Sequence, residues 1–542
     1  MYYGGVYHLF YQYNPISNQG FTYMHWGHAA SADLLHWTHL PVALAPDVGN
    51  ECGGEWSGSA TPLAVVGADG STGQRSVPVL SFSVQCNSFF GQAEPADPTD
   101  PLLENWTKPA YNPTATKPSY VLGGFRDPST AWKGDDGVWR QVAACTGGAC
   151  LFNSTDFMKW KPAGYAVYGP YGPPPGDQSR PGAPLPSART PALIKARASA
   201  HAGAELAALS GRRAVADELN PDGVPTWECP DMFVLPAKSR GVEAAGASER
   251  LWVFKASGAL TVGAHGQGTD YWATGSFDEA KGVFTAGAGS EAVPRDGQRL
   301  DYGTFYASKT FYDAASGEQL VFGWVQEEAG SPLVQWASVQ SIPRVIREDP
   351  LIAGRLVFMP VDAVRTLRQL PPAASTRSAA VPPTVGLPLP SVTGAHLDVV
   401  MVWDWASLAR DAPIGLSVLG GAANITLVLA DTASCANDTR LLTADTECAL
   451  LTVGRHSGTF LVPPGPVELR VLVDSSIVEA FAAGGRAVIT SRVYPLDSAA
   501  ALPCALLNRG DKAARVVSLD AFHMAKATQV GTDALRARAR RA

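Results

Sequence analysis

No apolar run in this sequence approaches the ~20 residues that a helix needs to cross a bilayer, so no membrane span is expected. No secretory leader is visible either, because Met1-Tyr-Tyr-Gly-Gly-Val-Tyr7 already has the make-up of a folded strand. Four glycosylation sequons, at Asn105, Asn153, Asn424 and Asn437, nevertheless point to the secretory route. Positive charge is in deficit: 42 Lys and Arg against 49 Asp and Glu leave −7, which argues against nucleic acid or an anionic membrane as partner. Cysteine is sparse, and eight in 542 residues are no disulfide framework. Cys145 and Cys150 flank a turn-like Thr-Gly-Gly-Ala, and Cys435 and Cys448 a short polar loop, so either pair could close locally. Neither has metal-ligand spacing, and buried core thiols are as good a reading for the remainder. Long amphipathic helical patterns are missing too, which disfavours an α/β fold.

What the chain has instead is aromatic residues and turn formers. Its 14 Trp, 16 Tyr and 19 Phe accompany 54 Gly and 42 Pro, a mixture that suits an all-β protein and offers flat faces to sugar rings. Val6-Tyr-His-Leu-Phe-Tyr-Gln-Tyr13 is apolar or aromatic on both alternating faces and reads as a strand buried on both sides. Similar short strands follow at Tyr23–Ala29, Trp37–Leu44, Val77–Val84, Val138–Ala143, Leu251–Phe254, Leu320–Val325 and Val334–Val339. That pattern favours a propeller or a sandwich, although no clean repeat gives a blade count. Residues 169–224 break it with a Pro/Gly stretch and an Ala-rich run, and read as a low-complexity, partly disordered surface insertion. The expected divisions are a first domain over 1–368, a Pro/Ala/Ser/Thr-rich linker over 369–392, a sandwich-like domain over 393–526 and a frayed basic tail over 527–542.

Two short clusters carry chemistry. In Thr226-Trp-Glu-Cys-Pro-Asp231, Glu228 lies between a tryptophan and a cysteine and just before Met232-Phe233. Such surroundings desolvate a carboxyl, raise its pKa and let it donate a proton near neutrality. By itself the hexapeptide reads better as a surface glutamate beside a core tryptophan. The second cluster, Gly124-Phe-Arg-Asp-Pro128, adds Asp127, and two carboxylates in such settings suggest glycoside chemistry. His25, His28, His36 and His39 imitate a metal cluster only superficially. Residues three apart on a strand point to opposite faces, so neither pair converges on one ion, and neither metal nor cofactor is expected.

These clusters belong to an ordered series. It includes His8-Leu-Phe-Tyr-Gln-Tyr-Asn-Pro15, Met24-His-Trp-Gly-His28, Leu40-Pro-Val-Ala-Leu-Ala-Pro-Asp47, Trp56-Ser-Gly-Ser-Ala-Thr61, Phe125-Arg-Asp-Pro128 and Trp227-Glu-Cys-Pro-Asp231. It continues through Asp301-Tyr-Gly-Thr-Phe-Tyr-Ala-Ser308 and Val473-Asp-Ser-Ser-Ile-Val-Glu479. Through these motifs nearly the whole chain resembles glycoside hydrolase family 32, the invertases and fructan-cleaving β-fructosidases, its plant-type members above all. The resemblance implies an all-β fold, a five-bladed β-propeller followed by a C-terminal β-sandwich. It also implies retaining hydrolysis of terminal β-fructofuranosides, foremost sucrose to glucose and fructose, with a small sugar as the partner. Carried over residue by residue, it makes Glu228 the acid/base and Asp127 the transition-state stabiliser. Gln12, Trp26, Trp56, Ser57, Arg126 and Asp301 become substrate-binding residues, Tyr306 stands near the site, and Trp37 is left to the core. Arg126 is expected to keep Asp127 ionised and to reach the sugar or Glu228.

One part of the family pattern is missing from this sequence. The family's nucleophile is the aspartate of a W-M-N-D-P-N-G motif just before the strand that begins here at Tyr2, and no other stretch replaces it. Because Asp127, Glu228 and the pocket positions are intact, the favoured reading is a natural start further upstream, with a leader, and a secreted, cell-wall or vacuolar protein. Pro230 after Cys229 leans toward the cell-wall type. The alternatives are a catalytically dead sugar-binding relative and, among enzymes, a fructosyltransferase or fructan exohydrolase, distinguished by a few contacts at the pocket rim.

Overall fold

The computed structural model describes the chain apart from residues 19–20, 22, 47–50, 66–74, 85–87, 122, 169–226, 241–249, 259–267, 288–297, 329–335, 409, 431–434, 436–446, 463–464, 496–497, 499–500 and 541–542. The insertion expected at 169–224 lies outside the described residues. Among those described, seven antiparallel sheets carry the fold. Five follow one another along the chain as blades I to V of a propeller. Their strands run from Tyr2 to Leu44, Trp56 to Thr116, Phe125 to Tyr168, Glu228 to Ala286 and Phe305 to Pro360.

The aromatic content is what lets neighbouring blades pack. Phe90 of blade II stacks on Phe125 of blade III with ring centroids 4.2 Å apart, and Trp132 of blade III meets Trp252 of blade IV edge-on at 5.5 Å. Trp26 and Leu44 of blade I bury against Leu80 and Phe82 of blade II. Large rings at these wedge-shaped junctions fill more space per residue than aliphatic side chains, and favour such offset or edge-on contacts.

Beyond Pro360 the chain builds two six-stranded sheets packed as a sandwich. Their inner faces show the period-2 alternation of half-buried strands, clearest along Ala423–Ala430, and Trp403 is fully enclosed between them. Two expected boundaries are corrected here. Residues 369–392 are no linker: Ala374–Val381 pairs with Ala514–His523 in one sheet, and Thr384–Leu389 pairs with Cys504–Asn508 in the other. Proline misled the reading because Pro388 sits on an edge strand, where a missing N–H costs little. The tail is not frayed either. Thr532–Ala539 forms a helix that returns to blade I, burying Leu535 against Val6, Ala30 and Leu102, while Thr38 donates to the Val530 carbonyl. Cys145–Cys150 and Cys435–Cys448 are disulfides.

Candidate active site

In blades II to V the first strand lines a central cavity of about 1990 Å³; in blade I, whose first strand is only Tyr2–Tyr3, the second strand, Val6–Tyr13, does so. Four of the cavity-facing segments are irregular at one level. The strand ladders slip between Trp26 and His28, Trp56 and Gly58, Glu228 and Asp231, and Tyr306 and Lys309. Asp127, Cys229 and Ala307 have left-handed backbones, with φ of 58°, 44° and 47°. A bulge bends its strand and re-aims a side chain, and a positive φ at a residue with a Cβ is uncommon enough to mark such a place. Here the bulges stand beside Trp56, Glu228 and Tyr306, all of which line the cavity.

Arg126 is the hub. Its Nε donates to Glu228 Oε1 at 3.1 Å, its Nη2 donates to the same oxygen, and Asp127 Oδ2 lies 3.8 Å from Nε. The other Glu228 oxygen accepts the Tyr306 hydroxyl proton. Asp127 is held from two sides: its N–H donates to Ser83 Oγ at 3.2 Å, and its Oδ2 accepts the Cys229 N–H at 2.9 Å. Ser83 Oγ in turn donates to the Ser57 carbonyl at 2.9 Å. Thus blades II, III, IV and V are tied together around one pair of carboxylates.

Burial works against the charge on Arg126, but Glu228 and Asp127 outweigh it and hold the guanidinium above its ordinary range. Asp127 goes the other way from expectation. Burial raises its pKa and, with Glu228 nearby, outweighs the lowering pull of Arg126, which directs its hydrogen bonds to Glu228 rather than to its sequence neighbour. Glu228, expected among apolar groups, is flanked instead by a cation and a phenol.

The remaining expected positions divide. Trp56 and Ser57 are half-buried on the cavity wall, and Phe21 lies over Trp56 with centroids 6.1 Å apart. Gln12 lines the cavity and donates to the Glu55 carbonyl at 3.2 Å. Trp26 touches the cavity, but its body is in the core between blades I and II and its indole N–H donates to the Trp56 carbonyl at 3.2 Å; it supports the wall more than it faces a ligand. Asp301 is not in the cavity. It is completely buried where blade V meets the sandwich, bonded to Arg344 at 2.9 Å and to the Thr490 hydroxyl at 2.6 Å. A buried, fully paired carboxylate has no lone pair to spare for a sugar, so its assignment to substrate is withdrawn. Lys309 was missed; it lines the cavity and pairs with Asp231 at 2.6 Å.

The four histidines are each directed elsewhere. His28 contacts His8 at 3.1 Å, His36 pairs with Asp33 at 2.8 Å, His39 contacts Tyr11 at 3.1 Å, and His25 bonds the Tyr23 carbonyl at 2.6 Å.

Comparison with known proteins decides the family. Residues 1–170 and 212–360 match the glycosyl hydrolases family 32 N-terminal domain, and residues 364–523 match the family 32 C-terminal domain. The chain belongs to glycoside hydrolase family 32. It is 33% identical to beta-fructofuranosidase 1 of Zea mays, over 91% of this chain and 72% of that one. It is 32% identical to an acid beta-fructofuranosidase of Vigna radiata var. radiata, over 97% and 77%. Among solved structures it is similar to fructan 1-exohydrolase IIa from Cichorium intybus in complex with 1-kestose, with a TM-score of 0.73 and 25% identity over 97% of this chain and 94% of that chain. In this family setting Arg126, Asp127 and Glu228 form a compact group on neighbouring blades, open to the cavity.

Proposed function

We propose that this family 32 glycosidase hydrolyses terminal β-fructofuranosides with retention, sucrose first among them, using Glu228 as acid/base and Asp127 as transition-state stabiliser. The observation that carries the reading is the pair of carboxylates on blades III and IV, joined through one guanidinium at the cavity wall. Protonated Glu228 gives its proton to the glycosidic oxygen as the fructosyl–oxygen bond breaks and the family's nucleophilic aspartate bonds the anomeric carbon; the Glu228 carboxylate then takes a proton from the water that displaces that aspartate. Asp127 accepts hydrogen bonds from ring hydroxyls, and those bonds tighten as positive charge grows on the ring. Its Oδ1 takes no hydrogen bond from the protein among the described residues, which leaves that oxygen for the sugar. Arg126 fixes the Glu228 carboxyl, and Trp56 with Phe21 offers aromatic faces to the substrate. The family's nucleophile is the aspartate of its W-M-N-D-P-N-G motif. In retaining enzymes it lies about 5 Å from the acid. Among the described residues no strand pairs the second edge of Leu9–Tyr13, whose residues line the cavity on that side. The two disulfides support a reading in which the protein works in an oxidising compartment, in keeping with secretion to a cell wall or vacuole.

The test is release of glucose and fructose from sucrose, and of fructose from 1-kestose, by the protein and by Glu228→Gln. Turnover should fall by about 10²–10⁴-fold in the variant with its KM nearly unchanged, the usual worth of a positioned acid/base. Equal turnover by the two proteins would remove Glu228 from the role.

A further inference from the structure

The bulges that aim Glu228 and Tyr306 strip backbone groups of their ladder partners, and buried backbone groups must be satisfied somewhere. A buried ion pair between blades IV and V supplies the replacements. Lys255, 1% exposed, lies on the second strand of blade IV, Trp252–Gly258, and Asp270, fully buried, lies on the third, Thr269–Asp278. Lys255 Nζ donates to the Cys229 carbonyl at 2.9 Å, directly after Glu228, and also to the Ser308 carbonyl, two residues after Tyr306. Asp270 Oδ2 accepts the Ser308 N–H at 2.8 Å and lies 3.5 Å from Lys255 Nζ. Neither side chain lines the cavity.

We propose that Lys255 and Asp270 are positioning residues for the acid/base carboxyl, clamping the Cys229 and Ser308 bulges so that the Tyr306 hydroxyl and Glu228 stay in register. A buried ammonium on those two carbonyls costs desolvation that a methionine of similar length would avoid, so stability alone gives little reason for it. The clamp also reaches Asp127, because the Cys229 N–H that bonds Asp127 belongs to the residue whose carbonyl Lys255 holds. Lys309, which pairs with Asp231 and touches the Pro230 carbonyl at 3.3 Å, links the same two blades at the cavity wall but touches neither bulge carbonyl that Lys255 holds.

The inference rests on the acid/base reading of Glu228, so its test needs one readout that does not depend on turnover. Among the described residues the free thiols are Cys229, at the clamp, and Cys504, in the sandwich. Both are buried, and burial pushes both thiols up, Cys504 to about 11, which slows alkylation of the native protein at each. Lys255→Met should speed iodoacetamide labelling of Cys229 by about tenfold, the response to losing a buried hydrogen bond, and leave Cys504 at its original rate. It should also lower kcat by about 100-fold with little change in KM, as misplacement of a catalytic group does. The double variant Lys255→Met/Asp270→Asn leaves no unpaired charge and should recover part of the thermal midpoint lost in Lys255→Met, but neither kcat nor Cys229 protection. Unaltered labelling of Cys229, labelling that rises in step at both thiols, or kcat restored in the double variant would each overturn the clamp. If the parent protein cleaves no fructoside, the enzymatic reading fails, while the labelling still decides whether Lys255 holds the Cys229 bulge.

Discussion

Among the buried arginines that hold two carboxylates, one stands at the cavity and another where the propeller meets the sandwich. At the seam, Arg344 bonds Asp301, Glu479 and the Thr490 hydroxyl, with the Phe305 ring centroid 4.5 Å from its guanidinium carbon and that of Phe481 at 5.3 Å. Asp301 further accepts the N–H of Gly303 at 2.7 Å and of Thr490 at 2.9 Å, and Glu479 that of Ile342 at 2.8 Å. At the cavity, Arg126 spends its bonds on one oxygen of Glu228, and the Glu228 side chain keeps 19% of its exposure. The same three functional groups thus make a closed structural knot in one place and an open, reactive set in the other. What separates them is how completely the surrounding backbone fills the carboxylate lone pairs.

The sharpest way to break the comparison is at the seam. Arg344→Met leaves Asp301 and Glu479 buried without their cation, which should cost about 3–5 kcal/mol of stability. Urea unfolding would read the loss, while kcat per folded molecule stays near that of the parent, because Arg344 does not line the cavity. A large fall in kcat at full folding would instead make the seam part of the site.

Asp301 also shows where reading the sequence stopped. The Asp301-Tyr-Gly-Thr-Phe-Tyr stretch is recognisable, and the resemblance set both Asp301 and Tyr306 at the pocket; of the two, Tyr306 reaches Glu228. The turn between them is a docking element: a Cβ on Gly303 would lie 1.8 Å from the Thr490 carbonyl, so this glycine admits the sandwich strand. Nothing local in the sequence records that contact, since Thr490 is 189 residues away from Asp301. Short aromatic strands made the all-β class legible, and the ordered motifs singled out Glu228, Asp127 and Arg126, which meet at the cavity wall. The order of pulls on Asp127 was not legible, because it depends on which carboxylate the guanidinium faces once the bulges have turned it. Lys255 was hidden for a similar reason, as a lysine in an apolar strand whose partners lie on other strands.

The second prediction tests the open triad by separating its stability from its chemistry. Burial raises the Asp127 pKa, so the folded protein binds that proton more tightly than the unfolded chain does. The associated stability is full below the ordinary carboxylate range, about pH 4, and is lost as pH rises through the raised value. Asp127→Asn cannot ionise. It should therefore be more stable than the parent at pH 7, with the difference shrinking on acidification, and yet lose about 100-fold in kcat. Thermal midpoints across that pH range, set beside kcat, check both halves. Lower stability at pH 7 would mean that Asp127 is held for the fold, like Asp301.

Another arginine with two carboxylates carries the comparison to the surface. Arg536, on the C-terminal helix, bonds Asp100 and also Glu104, the latter at 2.7 Å, with 28% of its side chain exposed. Solvent screens such a group and its release costs little desolvation, so Arg536→Ala should destabilise by only about 0.5–1 kcal/mol, less at high salt. The neighbouring Leu535, buried against blade I, should hold the helix in place without it. Thermal midpoints at low and high ionic strength would read this directly. A loss as large as that of Arg344→Met would show that connectivity alone, rather than burial, sets what such a triad contributes.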